Sequence, residues 1–150
     1  MIVKFERDHL LISTDRNLLQ VERIHRFLST EAYWCLNIPL ERVKLAMQNS
    51  LCFGLYEREE KELVQIGFAR IITDYSTFAW LCDVYVEKHK RGLGLSKWLI
   101  EVLCSHPQLK GLRRFCLATK DAHKLYEQFG FKVTATPQNW MEIRNNEIYK

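Results

Sequence analysis

Apolar positions along this chain recur first at helical spacing and then in strand-like runs, and the alternation marks out the elements. Residues 9–14 form a short apolar run that predicts a first strand. Asp15 can then cap a helix in which Leu18, Val21, Ile24, His25 and Leu28 recur at helical spacing. Ser29 or Thr30 caps a second helical segment, EAYWCLN, and a third, LERVKLAMQN, follows Pro39. Strand-like stretches come next at residues 50–56, 63–72 and 77–86. The charged EREEKE between the first two reads as a solvated hairpin turn and TDYS as a tighter one, so the centre of the chain is expected to be an antiparallel meander.

After Val86 the pattern changes. EKHK is polar, RGLGLS carries glycines, and LSKWLIEVLCSH sets Leu95, Trp98, Leu99, Val102 and Leu103 on one helical face. Pro107 and Gly111 end that helix, RRFCLATK reads as a strand, DAHKLYEQFG as a helix with Gly130 as its C-cap, and FKVTAT as a last strand. The order predicts a mixed α/β fold: a central, mostly antiparallel sheet with a β-α-β unit on its edge, flanked by helices and splayed open where the glycine turn sits. With no repeat, low-complexity segment or linker, residues 1–150 read as a single domain.

Composition narrows the setting. At 47% hydrophobic and 27% charged residues the chain is globular. Its apolar runs are far short of a membrane span, and MIVKFERDHL has charges where a signal peptide needs its apolar region, so a cytoplasmic location is expected and no membrane contact. A formal net charge of +4 suits an anionic ligand such as a nucleotide cofactor but is too small and scattered to point to nucleic acid. Cys35, Cys52, Cys82, Cys104 and Cys116 sit singly in apolar stretches, without CxxC or a histidine at metal-ligand spacing; they read as reduced core residues, and no metal site is expected.

Gly92 and Gly94 fall at a helix start directly after a hydrophobic strand, a place where glycine lets backbone N–H groups approach a phosphate closely. Neither the third glycine of GxGxxG nor the GKS or GKT of a Walker loop is present. What remains is Arg91, Gly92, Leu93, Gly94, Leu95 and Ser96, whose N–H groups could surround a pyrophosphate with the helix dipole behind them, while His89, Lys90 and Arg91 add positive charge. On these residues alone, a plain strand-to-helix turn whose glycines relieve strain explains the stretch equally well.

A later stretch, LYEQFGF at residues 125–131, separates the two. The pair resembles the GCN5-related N-acetyltransferase (GNAT) family, in which an [RQ]-x-x-G-x-[GA] turn entered from a strand ending V-x-V holds the pyrophosphate of acetyl-CoA. Here the strand ends Val84-Tyr85-Val86, the turn runs from Arg91 to Ser96, and the family's A-x-x-L-Y-x-x-x-G-F is Ala122, Leu125, Tyr126, Gly130 and Phe131. Ser96 stands where the family mostly has Gly or Ala, and its small hydroxyl could reach a phosphate oxygen. Thr119 stands where an asparagine often touches the pantetheine. A register two residues earlier would put His89 in the Arg or Gln place; the later one keeps Arg91. The resemblance implies acetyl-CoA as cosubstrate, with its pantetheine lying beside Val84, Tyr85 and Val86 like an extra strand and a backbone N–H there facing the thioester oxygen. It also implies Tyr126 as the proton donor to the departing CoA sulfur; packing against Phe129 at helical spacing is the plainer role.

Acetyl transfer needs an uncharged amine, a hydrogen-bond donor for the oxyanion and a proton for the thiolate. Asp83, in the apolar FAWLCDVYV, must have a partner or a task. Some family members use a strand carboxylate near this place as general base and others ordered water, so Asp83 is a candidate base beside the alternative of a structural, hydrogen-bonded aspartate. His123 and His25 read as exposed or packed histidines rather than bases. The resemblance forms the acceptor groove from the first two helices and the C-terminal loop, which here offer Phe27, Tyr33, Trp34, Trp140 and Tyr149. Aromatic walls suit a small amphipathic amine, and suit a filled core as well. The function implied is an acetyl-CoA-dependent N-acetyltransferase acting by direct transfer on a primary amine of a small-molecule or amino-acid-like acceptor. The partners implied are that acceptor and, in a homodimer, a second copy, with no nucleic acid. The alternative is a non-catalytic acetyl-CoA or acyl-CoA binding or sensor domain, which would keep the glycine turn without needing Tyr126; DNA binding through residues 88–91 is a third class.

Overall fold

Hydrogen bonds join the strands of one sheet in chain order. In the computed structural model, which describes residues 1–150, β1 (Lys4–Arg7), β2 (Leu10–Ser13), β3 (Leu51–Glu59), β4 (Glu62–Thr73) and β5 (Phe78–Val86) pair antiparallel, and β6 (Arg114–Leu117) adds parallel to β5. Helices α1 (Val21–Thr30) and α2 (Leu40–Gln48) connect β2 to β3, α3 (Leu95–Cys104) crosses from β5 to β6, and α4 (His123–Glu127) follows β6. The expected mixed α/β sheet is thus present, with helices on both faces.

Burial explains the long apolar runs. On one face Phe53, Leu55, Ile71 and Leu81 pack with Leu99, Ile100 and Leu103 of α3, and on the other Cys52, Phe68 and Tyr85 pack with Ile24, Phe27 and Leu28 of α1 and Val43 and Met47 of α2. Because both faces are covered, residues 51–56 of β3 are all buried and show no alternation. The EREEKE hairpin closes on Glu60 and Lys61 between the pair Glu59 and Glu62, and the TDYS turn is held by Asp74, whose carboxylate accepts from the N–H groups of Ser76, Thr77 and Phe78 and from the Thr77 hydroxyl. No helix is long and apolar enough to cross a membrane.

Three local expectations fail. Asp15 caps only a short 3-10 turn, Arg16–Leu18, and α1 starts later, after Gln20. EAYWCLN forms no helix: its chain is a succession of turns with Cys35 N–H on Ala32 O and Ile38 N–H on Cys35 O, and Asn37 is left-handed at φ 65°. Side chains hold it there, since Trp34 Nε1 donates to Asp83 Oδ1 at 2.9 Å and Cys35 Sγ to Leu28 O at 3.4 Å. FKVTAT forms no strand and leaves β6 as the sheet edge. Phe131 instead packs edge-on against Phe115 and Tyr126, at centroid distances of 5.3 and 5.9 Å, which carries the chain across the edge rather than along it. Conversely β1 is an unanticipated strand, all four of its residues exposed and so without an apolar signal.

Candidate active site

The sheet opens between β5 and β6. Their parallel pairing ends at Leu81 and Leu117, while β5 runs on to Val86 against β4. At that point β5 carries a bulge: Phe68 faces Tyr85 and Arg70 faces Cys82, so Ala69 alone opposes Asp83 and Val84. Asp83 occupies the bulge at φ 53°, a left-handed conformation that aspartate adopts more readily than most residues. Beyond the bulge, the Glu87 N–H bonds Ile66 O on β4, so by alternation Val86 points its backbone away from β4; its carbonyl accepts from Arg91 Nε at 3.1 Å.

The glycine turn follows. A 3-10 turn, Lys88–Lys90, is tethered by an ion pair from Lys90 to Glu57, whose carboxylate also bonds His9 Nε2 at 3.0 Å. The Lys90 bond holds the Glu57 carboxyl below its ordinary range. At the other side of the turn's root, the buried Glu87 bonds Arg26 at 2.9 Å. Gly92 and Gly94 both have positive φ, 83° and 75°, with nothing within 4 Å of where a Cβ would stand. Gly94 is the N-cap of α3 and supplies no side-chain cap, so the N–H groups of residues 92–97 have no acceptor in the chain. Leu95 is buried and anchors the helix start, Ser96 is half-buried, and Leu93 stands exposed. A row of unpartnered N–H groups at the positive end of a ten-residue helix fits a pyrophosphate.

Tyr126 is buried as a residue, at 9% exposed, and no side-chain hydrogen bond within the chain engages its hydroxyl. Burial, with a smaller contribution from Tyr33, pushes its phenol up to about 12. It lines a groove of about 650 Å³ together with Thr119 and His123. Thr119 Oγ1 accepts the Ala122 N–H at 3.0 Å at the start of α4, which leaves its own proton free. A second groove of about 870 Å³ shares Ala118 and Thr119 with the first and adds Tyr33, Trp34, Lys120 and Tyr149. A third of about 260 Å³ shares Trp34, Cys35 and Tyr149 with the second and is walled by Asp83 and Arg70. The three grooves therefore adjoin one another, with Tyr126 lining the first and Asp83 the third. Val84, Tyr85, Val86 and the glycine turn line none of the three: the side chains of Tyr85 and Val86 are buried, Val84 is half-buried, and Arg91 to Gly94 are exposed.

Both oxygens of Asp83 are engaged, Oδ2 by Arg70 Nε at 2.7 Å and Oδ1 by Trp34. Arg70 was not anticipated, although an arginine inside the apolar IGFARIIT is as anomalous as the aspartate in FAWLCDVYV, and the two strands are neighbours. Lys120 and Arg144, on irregular segments, also gave no sequence signal. Phe27 does not reach the groove: it stacks on Tyr85 at 3.8 Å beneath α1. His25 bonds Ile38 O at 2.9 Å and is a packing residue, while His123 is exposed. The cysteines are all free, and burial pushes Cys35 and Cys82, beside Asp83, up to about 12.

A sequence profile of the GNAT acetyltransferase domain matches residues 48–133, from the end of α2 through the glycine turn and α4. The chain belongs to the GNAT family of acetyltransferases. A Gibberella zeae protein assigned as an acetyltransferase is 34% identical over 138 residues, spanning 80% of this chain and 77% of that protein. Among solved structures, a Xanthomonas campestris pv. campestris protein assigned to the GNAT family is 46% identical, with a TM-score of 0.87 over 94% of this chain and 96% of the other. A Clostridium acetobutylicum acetyltransferase solved with acetyl-CoA shares the fold, with a TM-score of 0.63 at 16% identity over 96% of each chain. The splayed sheet is therefore that of a GNAT fold, and the chain is an acetyltransferase.

Proposed function

We propose that this GNAT enzyme transfers the acetyl group of acetyl-CoA directly to the primary amine of a small, amino-acid-like acceptor. The observation that carries the reading is the row of unpartnered N–H groups at residues 92–97, set by two positive-φ glycines beside a strand edge that β6 leaves free. When bound, acetyl-CoA supplies an activated thioester. The turn from Arg91 to Ser96 holds its pyrophosphate, with Arg91 braced through Nε on Val86 O and its terminal nitrogens left free. Val84, Tyr85 and Val86 offer the free edge to the pantetheine, and Thr119 can donate its hydroxyl proton to it.

Tyr126 is the proton donor to the sulfur. A phenol pushed up to about 12 stays protonated at any physiological pH, and its hydroxyl has no competing bond within the chain. Asp83 receives the acceptor. Its charge draws the ammonium into the small cavity and it takes the proton, while Arg70 and Trp34 fix the direction of the carboxylate. Residues 1–150 act as one catalytic domain in this reading.

Tyr126→Phe separates this reading from a sensor that binds acetyl-CoA without turnover. Removing the hydroxyl should leave acetyl-CoA affinity nearly unchanged and lower kcat by about ten- to ten-thousand-fold. Equal turnover by the variant makes Tyr126 a packing residue. Tight acetyl-CoA binding with no amine acetylated by either protein favours the sensor.

A further inference from the structure

The groove that adjoins both the Tyr126 groove and the Asp83 cavity carries charge of one sign only. Lys120, Arg144 and Lys150 line it, along with the amides of Asn37, Asn145 and Asn146, and no acidic side chain does. Lys120 has no carboxylate partner and lies 5.5 Å from the centre of the Tyr33 ring, which stands edge-on to Trp34. Arg144 pairs at 3.3 Å with Glu142 and Lys150 at 2.7 Å with Glu147, but these carboxylates are exposed and outside the groove. Exposed pairs of this kind hold their cations weakly, so a ligand anion entering the groove can take them over.

We propose that the acceptor carries an anionic group, a carboxylate or a phosphate, at a distance from its amine, and that Lys120 and Arg144 select for it. The inference rests on the transferase reading above and deepens it. The groove then sorts a zwitterion along its length. The acceptor's ammonium meets Asp83 at the narrow end, its apolar body lies against Tyr33, Trp34 and Tyr149, and its anion meets the guanidinium of Arg144 and the ammonium of Lys120. Polyamines and other purely cationic amines are repelled by the same residues. Residues 144–150 would thereby supply specificity, although they belong to no helix or strand.

Binding of acetylated, product-like probes tests this without relying on turnover. In 4-(acetamidomethyl)benzoate and 4-(acetamidomethyl)benzamide an aromatic ring separates the acylated nitrogen from the far group, which is charged in the first and neutral in the second, and each is titrated against the full chain by calorimetry. The carboxylate should bind about tenfold more tightly at low salt, and the Lys120→Met/Arg144→Met double variant should remove that difference while still binding acetyl-CoA as the parent does. 4-(Acetamidomethyl)phenyl phosphate, with the same ring, distinguishes the two sources of the anion: whichever of phosphate and carboxylate binds more tightly is the group selected. Equal binding of the acid and the amide, a preference that survives in the double variant, or no binding of any anionic probe would overturn the proposal. Each of these outcomes leaves the transferase reading to stand or fall on acetyl-CoA turnover.

Discussion

Replacing Gly94 separates backbone strain from obstruction of the cofactor site. Gly94 has φ 75° and ψ 16°, and no heavy atom lies within 4 Å of a Cβ built on it. A side chain there meets nothing in the free protein, so Gly94→Val costs only the left-handed strain, about 1–2 kcal/mol. In a chain of 150 residues that lowers Tm by about 2–8 °C and leaves the fold intact. With the turn cradling the pyrophosphate as proposed, acetyl-CoA should lose far more, because a Cβ would keep the pyrophosphate away from the N–H groups of the turn. Each amide-to-phosphate bond contributes about 1.5–3 kcal/mol, so losing about two weakens Kd by about a hundredfold to ten-thousandfold. Gly94→Asn is the decisive variant, since asparagine tolerates the left-handed region: its Tm should stay near the parent's while its affinity falls like that of Gly94→Val. Thermal melts and calorimetric titration with acetyl-CoA read the two effects separately. If Gly94→Asn binds acetyl-CoA as tightly as the parent, the turn does not cradle the pyrophosphate.

Other consequences are independent of the turn. Arg70→Met should destabilise the protein by up to about 3–5 kcal/mol in urea unfolding, because the Arg70 and Asp83 side chains are only 16% and 11% exposed and Asp83 would keep an unpaired charge. Adding Asp83→Asn to that variant should restore part of the loss, and strictly additive effects would deny the pairing. Stability should also fall as pH rises from about 9 to about 11. Burial pushes Cys52 and Cys104 up to about 11, so their unfolded thiols ionise first and the folded state binds more protons, each group adding a slope approaching about 1.4 kcal/mol per pH unit. Urea midpoints that stay flat across that window would contradict the burial of these thiols.

The parts of the site that depend on local chemistry were legible in the sequence. Gly92 and Gly94 adopt the positive φ that only glycine takes freely, and Leu95 and Trp98 face the core as the helical spacing requires. The meander was equally plain, because its strands are long apolar runs between polar turns. What could not be read is non-local. The bulge at Asp83 exists only in the register between β4 and β5, and Arg70 becomes its partner through that register. EAYWCLN has a plausible helical composition, yet Trp34 and Cys35 are held by Asp83 and by the end of α1. FKVTAT alternates as a strand should, but its Phe131 is taken by the aromatic cluster under α4. Lys120, Arg144 and Lys150 lie on segments without periodicity, so only the folded chain collects them in one groove.

Acetyl-CoA-dependent release of free thiol, followed with a panel of primary amines and matched by mass spectrometry to the acetylated product, tests the central claim most directly. The account predicts thiol and acetylated amine formed in equal amounts with at least one acceptor, initial-rate lines that intersect as direct transfer requires, and loss of the signal in Gly94→Asn through weakened acetyl-CoA binding. Acetyl-CoA bound at the turn with no thiol released by any amine would contradict it.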